Sequence, residues 1–173
     1  ELLKKIQSVQ DWQLTLFTSG TTGRPKSIIQ SFTNLTRNVK TGNRFKDDTW
    51  AFAYNPTHMA GFQVFFQALL NMNPIIYIFD QPFANIPQLL CNYKVTNISA
   101  TPTYYRNVIP FLKNNVYPFV NYVTLGGEKY DPLLEKDLKQ LFPNAKIRNI
   151  YATTETGTLF SSDGEVFFIP KSL

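Results

Sequence analysis

The sequence predicts an α/β fold: a three-layer, doubly wound, largely parallel sheet with helices on both faces. A β-hairpin-like loop precedes it and a C-terminal hairpin closes it. Three observations carry this expectation. Apolar, β-rich runs alternate with helix-period runs along most of the chain. The helical runs open on recognisable start signals, and strand–helix alternation of this regularity builds parallel sheets covered on both faces. Finally, 173 residues that are 43% hydrophobic and 15% aromatic suffice for one real core.

Taken in order, the apolar run Leu14-Thr15-Leu16-Phe17 leads into a loop rich in glycine and hydroxyls that ends at Pro25-Lys26. Pro25 disfavours helix before it, and the β-branched Ile28-Ile29 after it favour a strand, so the loop should join two antiparallel strands. Further strands are expected at Thr49–Tyr54, Ile75–Phe79, Asn97–Ala100, Phe119–Leu125 and Lys146–Tyr151. Ile86, Leu89, Leu90 and Tyr93 form a helical stripe, within which Cys91 reads as core. Thr101 caps a helix with Pro102 at its first position and Tyr105, Val108, Ile109 and Leu112 on its buried face. Asp131-Pro132 repeats that signal ahead of Leu134, Leu138 and Leu141, and Pro143 stops the helix. At the end, Thr158–Phe160 and Glu165–Ile169 flank Ser161-Ser162-Asp163-Gly164, whose Asp-Gly pair predicts a hairpin turn.

Composition excludes several function classes. The formal charge of +5 is mild and its lysines and arginines are scattered, which argues against a nucleic-acid partner. Cys91 is the only cysteine, so neither a disulfide framework nor a cysteine zinc site is expected. Apolar runs are too short for a membrane span. A cytoplasmic setting is the expectation.

The chemistry concentrates in Thr18-Ser19-Gly20-Thr21-Thr22-Gly23-Arg24-Pro25-Lys26. Glycines let backbone N–H groups approach an anion, hydroxyls add donors and lysine brings a compact charge, a combination suited to phosphate oxygens. It is not the common P-loop, which sets Lys-Ser/Thr directly after a glycine and opens a helix. In open α/β sheets ligands sit beyond the carboxyl ends of the strands. There the sequence places Asn55-Pro56-Thr57-His58-Met59-Ala60-Gly61, then Gly126-Gly127-Glu128, then Tyr151-Ala152-Thr153-Thr154-Glu155.

These four motifs, in this order, resemble those of the adenylate-forming superfamily, which includes acyl-CoA and aryl-CoA synthetases, peptide-synthetase adenylation domains and luciferases. The first resembles its phosphate loop. The segment around His58 resembles one beside the acyl pocket, Gly126-Gly127 one passing the adenine and ribose, and Tyr151–Glu155 the family's Tyr-Gly-x-Thr-Glu motif. The resemblance implies ATP-binding roles for Thr18, Ser19, Gly20, Thr21, Thr22, Gly23, Lys26, Gly126, Gly127, Glu128, Tyr151, Ala152 and Thr154. It implies catalytic roles for Lys26, Thr154 and Glu155, with Glu155 as the Mg²⁺ ligand, and an acid pocket near His58, Gly61, Thr101 and Thr103. Ala152 departs from the family's glycine. A backbone needing positive φ there would strain alanine.

The family's ribose-binding aspartate, hinge and small C-terminal domain with its catalytic lysine have no counterpart among residues 1–173. The chain therefore reads as a single nucleotide-binding subdomain of an ATP-dependent, carboxylic acid-activating ligase. That ligase would form an acyl-adenylate and then a thioester, with CoA as the expected thiol and the fragment inactive alone. The apolar segment Phe62–Phe66 points to an acyl or aryl acid. Loading of a carrier protein, and a non-catalytic nucleotide-binding or scaffolding remnant, stay open as alternatives. Surfaces exposed by truncation should favour self-association.

Overall fold

Strand pairing divides the chain into a two-stranded ribbon and a six-stranded sheet. The computed structural model describes residues 12–18 and 26–168, together with Lys5 and Ser8. The ribbon pairs β1 (Gln13–Thr18) with β2 (Lys26–Ser31) antiparallel, Thr18 standing opposite Lys26. Lys26 thus opens a strand rather than a helix, as the Pro25 break and the isoleucines predict. The loop residues 19–25 lie outside the described residues.

The sheet contains β3 (Trp50–Phe52), β4 (Ile75–Tyr77), β5 (Asn97–Ala100), β6 (Tyr122–Gly126), β7 (Lys146–Thr153) and β8 (Gly157–Ser162). Its order is β4-β3-β5-β6-β7-β8, parallel throughout except for the antiparallel β7–β8 pair. Among residues 12–18 and 26–168, five α-helices accompany it: α1 (Phe32–Thr36), α2 (Met59–Leu70), α3 (Ile86–Asn92), α4 (Pro102–Leu112) and α5 (Pro132–Leu141).

Side-chain alternation along β3 shows how both sheet faces are covered. Ala51 and Ala53 join the main core with Ile86, Leu90, Tyr105, Leu112, Leu134 and Leu138 from α3, α4 and α5. Trp50, Phe52 and Tyr54 point the other way and pack with Val64 and Ala68 of α2. A third cluster binds ribbon to sheet: Leu16 and Leu35 meet Met59 and Phe66, with Trp12 and Phe32 set edge-on to Phe66.

The predicted helix starts are present as drawn. The Thr101 side chain accepts from Tyr104 N and the Asp131 side chain from Leu133 N, each cap preceding a proline. The stripes of α4 and α5 are buried in full. Helix α2 has only a weak periodic signal because apolar residues cover most of its circumference, Gln63 and Gln67 forming a narrow polar stripe, as befits a helix pressed between ribbon and sheet.

Two expectations are corrected. Cys91 is exposed, as is Tyr93, because α3 ends at Asn92 and only Ile86 and Leu90 of the stripe are buried. The C-terminal hairpin exists, but β7 and β8 form it around Thr154–Thr156 rather than around Asp163-Gly164. Ser161 and Ser162 continue β8, and Asp163 is held back by Arg148 at 2.5 Å.

Candidate functional site

Each strand-end motif lies at the carboxyl end of a parallel strand, and separate local devices fix each one. After β3, the Asn55 side chain accepts from Thr57 N (2.9 Å) and Thr57 Oγ1 (2.8 Å), closing a tight turn. His58 N donates to Asn55 O at 3.1 Å, and His58 becomes the extended residue before α2. Gly61 sits over that turn: a Cβ there would overlap the Asn55 carbonyl. Backbone packing alone requires glycine at this position. His58 is exposed and lines a hollow of about 300 Å³ with Leu14, Leu16, Phe17, Thr57 and Phe62. The hollow joins the strand leading into the glycine-rich loop to the start of α2.

After β6, Gly126 and Gly127 are glycines for different reasons. A Cβ at Gly126 would stand 3.3 Å from Tyr54 Oη, while Gly127 has φ +81°, a left-handed conformation that side chains disfavour. The Glu128 carboxylate turns to the N-terminus of α4, accepting from Thr103 N (2.9 Å) and Thr103 Oγ1 (2.7 Å), with Arg106 at 4.0 Å. Burial pulls the Glu128 carboxyl upward, but these donors outweigh it and hold the group below its ordinary value. Thr101, Thr103 and Glu128 are therefore joined in one capping cluster at the sheet's ligand edge, on a different element from His58 and Gly61.

After β7, Thr154, Glu155 and Thr156 form the turn into β8. Thr153 Oγ1 lies 2.8 Å from Thr156 Oγ1 and accepts from Thr156 N at 3.2 Å, and Gly157 closes the turn at φ +69°. Tyr151 is 50% exposed and stacks on Phe160 at 6.2 Å and 27°. Beside it a bulge shifts the register between Tyr151 and Ala152. Ala152 lies in the ladder opposite Thr158 and is not among the residues with positive φ. Alanine at this place carries no backbone strain. Glu155 is exposed, and its carboxylate has no hydrogen-bond or ion-pair partner among the described residues.

The ribbon and this turn meet directly. Gln30 of β2, 1% exposed, donates from Nε2 to Thr154 O (2.6 Å) and Glu155 O (3.2 Å). Arg37 donates to Thr156 O, and Asn38 Nδ2 to Thr158 O at 3.0 Å. Strand alternation places Lys26 on the same ribbon face as Gln30, about 13 Å along the strand at the usual rise. The first and last motifs, far apart in sequence, thus share one side of the molecule.

Sequence reasoning missed Gln30, Arg37 and a row of hydroxyls on the sheet face below Gly126. Thr124 Oγ1 donates to Ser99 Oγ at 2.5 Å. Nearby Tyr54 is buried; that burial, opposed by Ser99 and reinforced by Glu128, pushes its hydroxyl up to about 12 and keeps it a neutral phenol. The signal was available: Ser99 and Thr124 interrupt the apolar pairs Ile98/Ala100 and Val123/Leu125. Beside α2, Phe52, Pro56, Phe62, Phe65, Ile75 and Tyr77 line an apolar cavity of about 540 Å³. Among the described residues no cluster of three or more His, Cys, Asp or Glu could hold a metal ion, and no helix is long and apolar enough to cross a membrane.

Comparison with known proteins bears on the family and the fold. The family model described as AMP-binding enzyme matches residues 4–170. A plipastatin synthase of Bacillus subtilis is 29% identical over 150 residues, covering 82% of this chain and 6% of that protein. The 2-succinylbenzoate–CoA ligase of Listeria monocytogenes is 27% identical over 136 residues, covering 72% of this chain and 28% of the ligase. In three dimensions, the luciferase-like enzyme of the mealworm Zophobas morio superposes with a TM-score of 0.71 at 22% identity, over 85% of this chain and 36% of that one. O-succinylbenzoate coenzyme A synthetase from Bacillus subtilis, solved with ATP and magnesium ion, gives 0.69 at 22% identity, over 86% and 32%. The chain thus spans less than a third of these curated relatives and about a third of these solved structures.

Proposed function

Because this chain belongs to the AMP-binding enzyme family, we propose that it is the nucleotide-binding portion of a ligase that activates a carboxylic acid with ATP and passes the acyl group to a thiol, with CoA as the acceptor. One observation carries the reading: the Gln30 bonds that tie the Thr154-Glu155 turn to the ribbon bearing Thr18 and Lys26. Two motifs suited to phosphate are held on one side of the molecule by a buried polar contact.

In the proposed reaction a carboxylate oxygen attacks the α-phosphorus of ATP, the bond to the β-phosphate breaks and pyrophosphate leaves. The protein's part is alignment and charge neutralisation. Lys26, exposed at the start of β2, balances the leaving phosphates, with Thr18 and loop residues 19–23 as donors around them. The Thr154 hydroxyl serves the α-phosphate. Tyr151 offers its half-exposed ring to the adenine, next to Gly126 and Gly127, which admit close approach. The donor set suits Mg²⁺, since Glu155 is a hard carboxylate flanked by threonine hydroxyls; when bound, the ion supplies neutralisation of phosphate charge. The capping of α4 by Glu128 gives that residue a framework role beside the nucleotide. The apolar cavity at Phe52, Phe62, Phe65 and Tyr77 supports an acyl or aryl acid over a charged one.

The test has two arms. Calorimetric titration of the chain with ATP should show weak binding that strengthens with Mg²⁺; its absence would remove the nucleotide-binding reading. Pyrophosphate exchange with a panel of fatty and aryl acids should be silent for this chain alone. Robust exchange would show that the placing of further catalytic groups outside these residues is wrong.

A further inference from the structure

Resting on that reading, we infer that Gln30 is a positioning residue: it locks the turn that carries Glu155 to the ribbon that carries Lys26, so the two phosphate-directed motifs move as one body. The contact is unusual for a strand residue whose neighbours face solvent or an apolar core. Gln30 stands between Ile29 and Ser31 at the inner face of the ribbon, and its side chain is 1% exposed. An apolar residue would satisfy the packing at this position. A buried amide is tolerated only where its polar atoms find partners. Its Nε2 meets that demand with two carbonyls in succession, Thr154 O and Glu155 O. Its Oε1 has no partner among the described residues, so the donor half of the amide gives the position its use.

The next two carbonyl contacts follow from the same segment: Arg37 to Thr156 O and Asn38 to Thr158 O. The stretch from β2 to Asn38, just past α1, therefore grips the β7–β8 turn by its backbone, with Glu155 exposed. Arg37 and Asn38 are exposed, and their bonds compete with water. Gln30 is the buried member, and removing its donor takes one partner from two carbonyls at once, so the loss should exceed that of a single mean hydrogen bond.

The experiment is hydrogen–deuterium exchange on the intact chain without nucleotide, following peptides over residues 151–158, with β5 and β6 as internal reference. Gln30→Met, which keeps the shape and loses the donor, should lower protection of the turn about tenfold while the reference strands hold. Asn73→Leu removes a different buried amide, one bonded to Phe45 O at 2.8 Å, and should leave the turn protected. Should Gln30→Met fail to fold, Gln30→Glu decides. Its carboxylate repels the two carbonyls at pH 7, whereas its protonated form donates one bond, so protection should recover as pH falls toward 5. An unchanged turn in Gln30→Met, equal loosening by Asn73→Leu, or a Gln30→Glu profile without pH dependence overturns the inference. ATP titration of the same variants separates the two readings. Loss of the turn's protection with no nucleotide binding in any protein, wild type included, would sink the proposed function and leave the lock standing.

Discussion

The Glu128 carboxylate accepts both the backbone N–H and the hydroxyl of Thr103, at 2.9 and 2.7 Å. The family resemblance implies roles at different ligand sites for these residues, and the structure joins them by hydrogen bonds. Thr103 lies in the first turn of α4, where unpaired N–H groups and the positive end of the helix dipole favour an anion. The carboxylate that follows Gly126-Gly127 supplies it.

That pairing makes a pH prediction. Glu128 is held below its ordinary value of 4.5, so its contribution is present above that value and is lost as pH falls through the lower, folded one. Glu128→Gln should cost about 0.5 kcal/mol near neutrality, since the group is partly exposed and screened. The gap between the two proteins should narrow as pH falls below 4.5 and through the lowered folded value. Urea denaturation at pH 7 and pH 3.5 measures it, and a gap that stays constant would show that the charge does no work here.

Two glycines should respond differently to alanine. Gly127 has open space around it, 3.8 Å to Thr101 Cγ2, so only its φ of +81° resists substitution. Gly127→Ala should cost about 1 kcal/mol. Gly61→Ala drives a methyl into the Asn55 carbonyl, forcing α2 from its turn, and should cost about 2–3 kcal/mol despite alanine's better helix propensity. Denaturant midpoints rank the pair, and the reverse order would refute the packing argument.

Most of this architecture was legible because it is local. Thr101-Pro102 and Asp131-Pro132 announce helices through their own side chains, and strand–helix alternation implies the parallel order. Element ends were less legible. Thr49–Tyr54 reads as six strand residues, but only Trp50–Phe52 pair on β3, because the strand gives way to the turn that Asn55 closes. The Asp-Gly pair at 163–164 looked like the hairpin turn, whereas the actual turn is built from threonine hydroxyls and a left-handed Gly157. In the site, the motif residues can be read along the sequence, whereas the contacts that hold them cannot. The Gln30 contact spans 124 residues of sequence, and nothing in the run Ile28-Ile29-Gln30 marks it.

Glu155 should separate binding from stability. The residue is exposed at the turn and its backbone is held by Gln30, so Glu155→Gln should leave the melting temperature within about 1 °C, as surface changes usually do. The same change should weaken Mg²⁺-dependent ATP binding by about tenfold, through loss of a hard anionic ligand. Differential scanning fluorimetry and calorimetric titration supply the two numbers. Parallel losses in both would make Glu155 a structural carboxylate.

The outer face of the ribbon leads to a last prediction. Phe17 is 68% exposed and Ile29 60%, and the register sets Ile29 opposite Thr15, two residues from Phe17. Ribbon alternation turns both away from the core that Leu16 and Phe66 build. Adjacent apolar side chains on a sheet face favour association, and the nearby 540 Å³ hollow of Phe52, Phe62, Phe65 and Tyr77 adds apolar surface. The isolated chain should therefore self-associate reversibly at tens of micromolar or above, on the order expected of a weak interface. Light scattering behind size exclusion should give a mass that rises with concentration. The double change Phe17→Lys and Ile29→Lys should return it to 19.9 kDa, because two charges on that face add repulsion and desolvation cost. A wild-type chain that is monomeric across the same range, or a double variant that associates equally well, would place the sticky surface elsewhere.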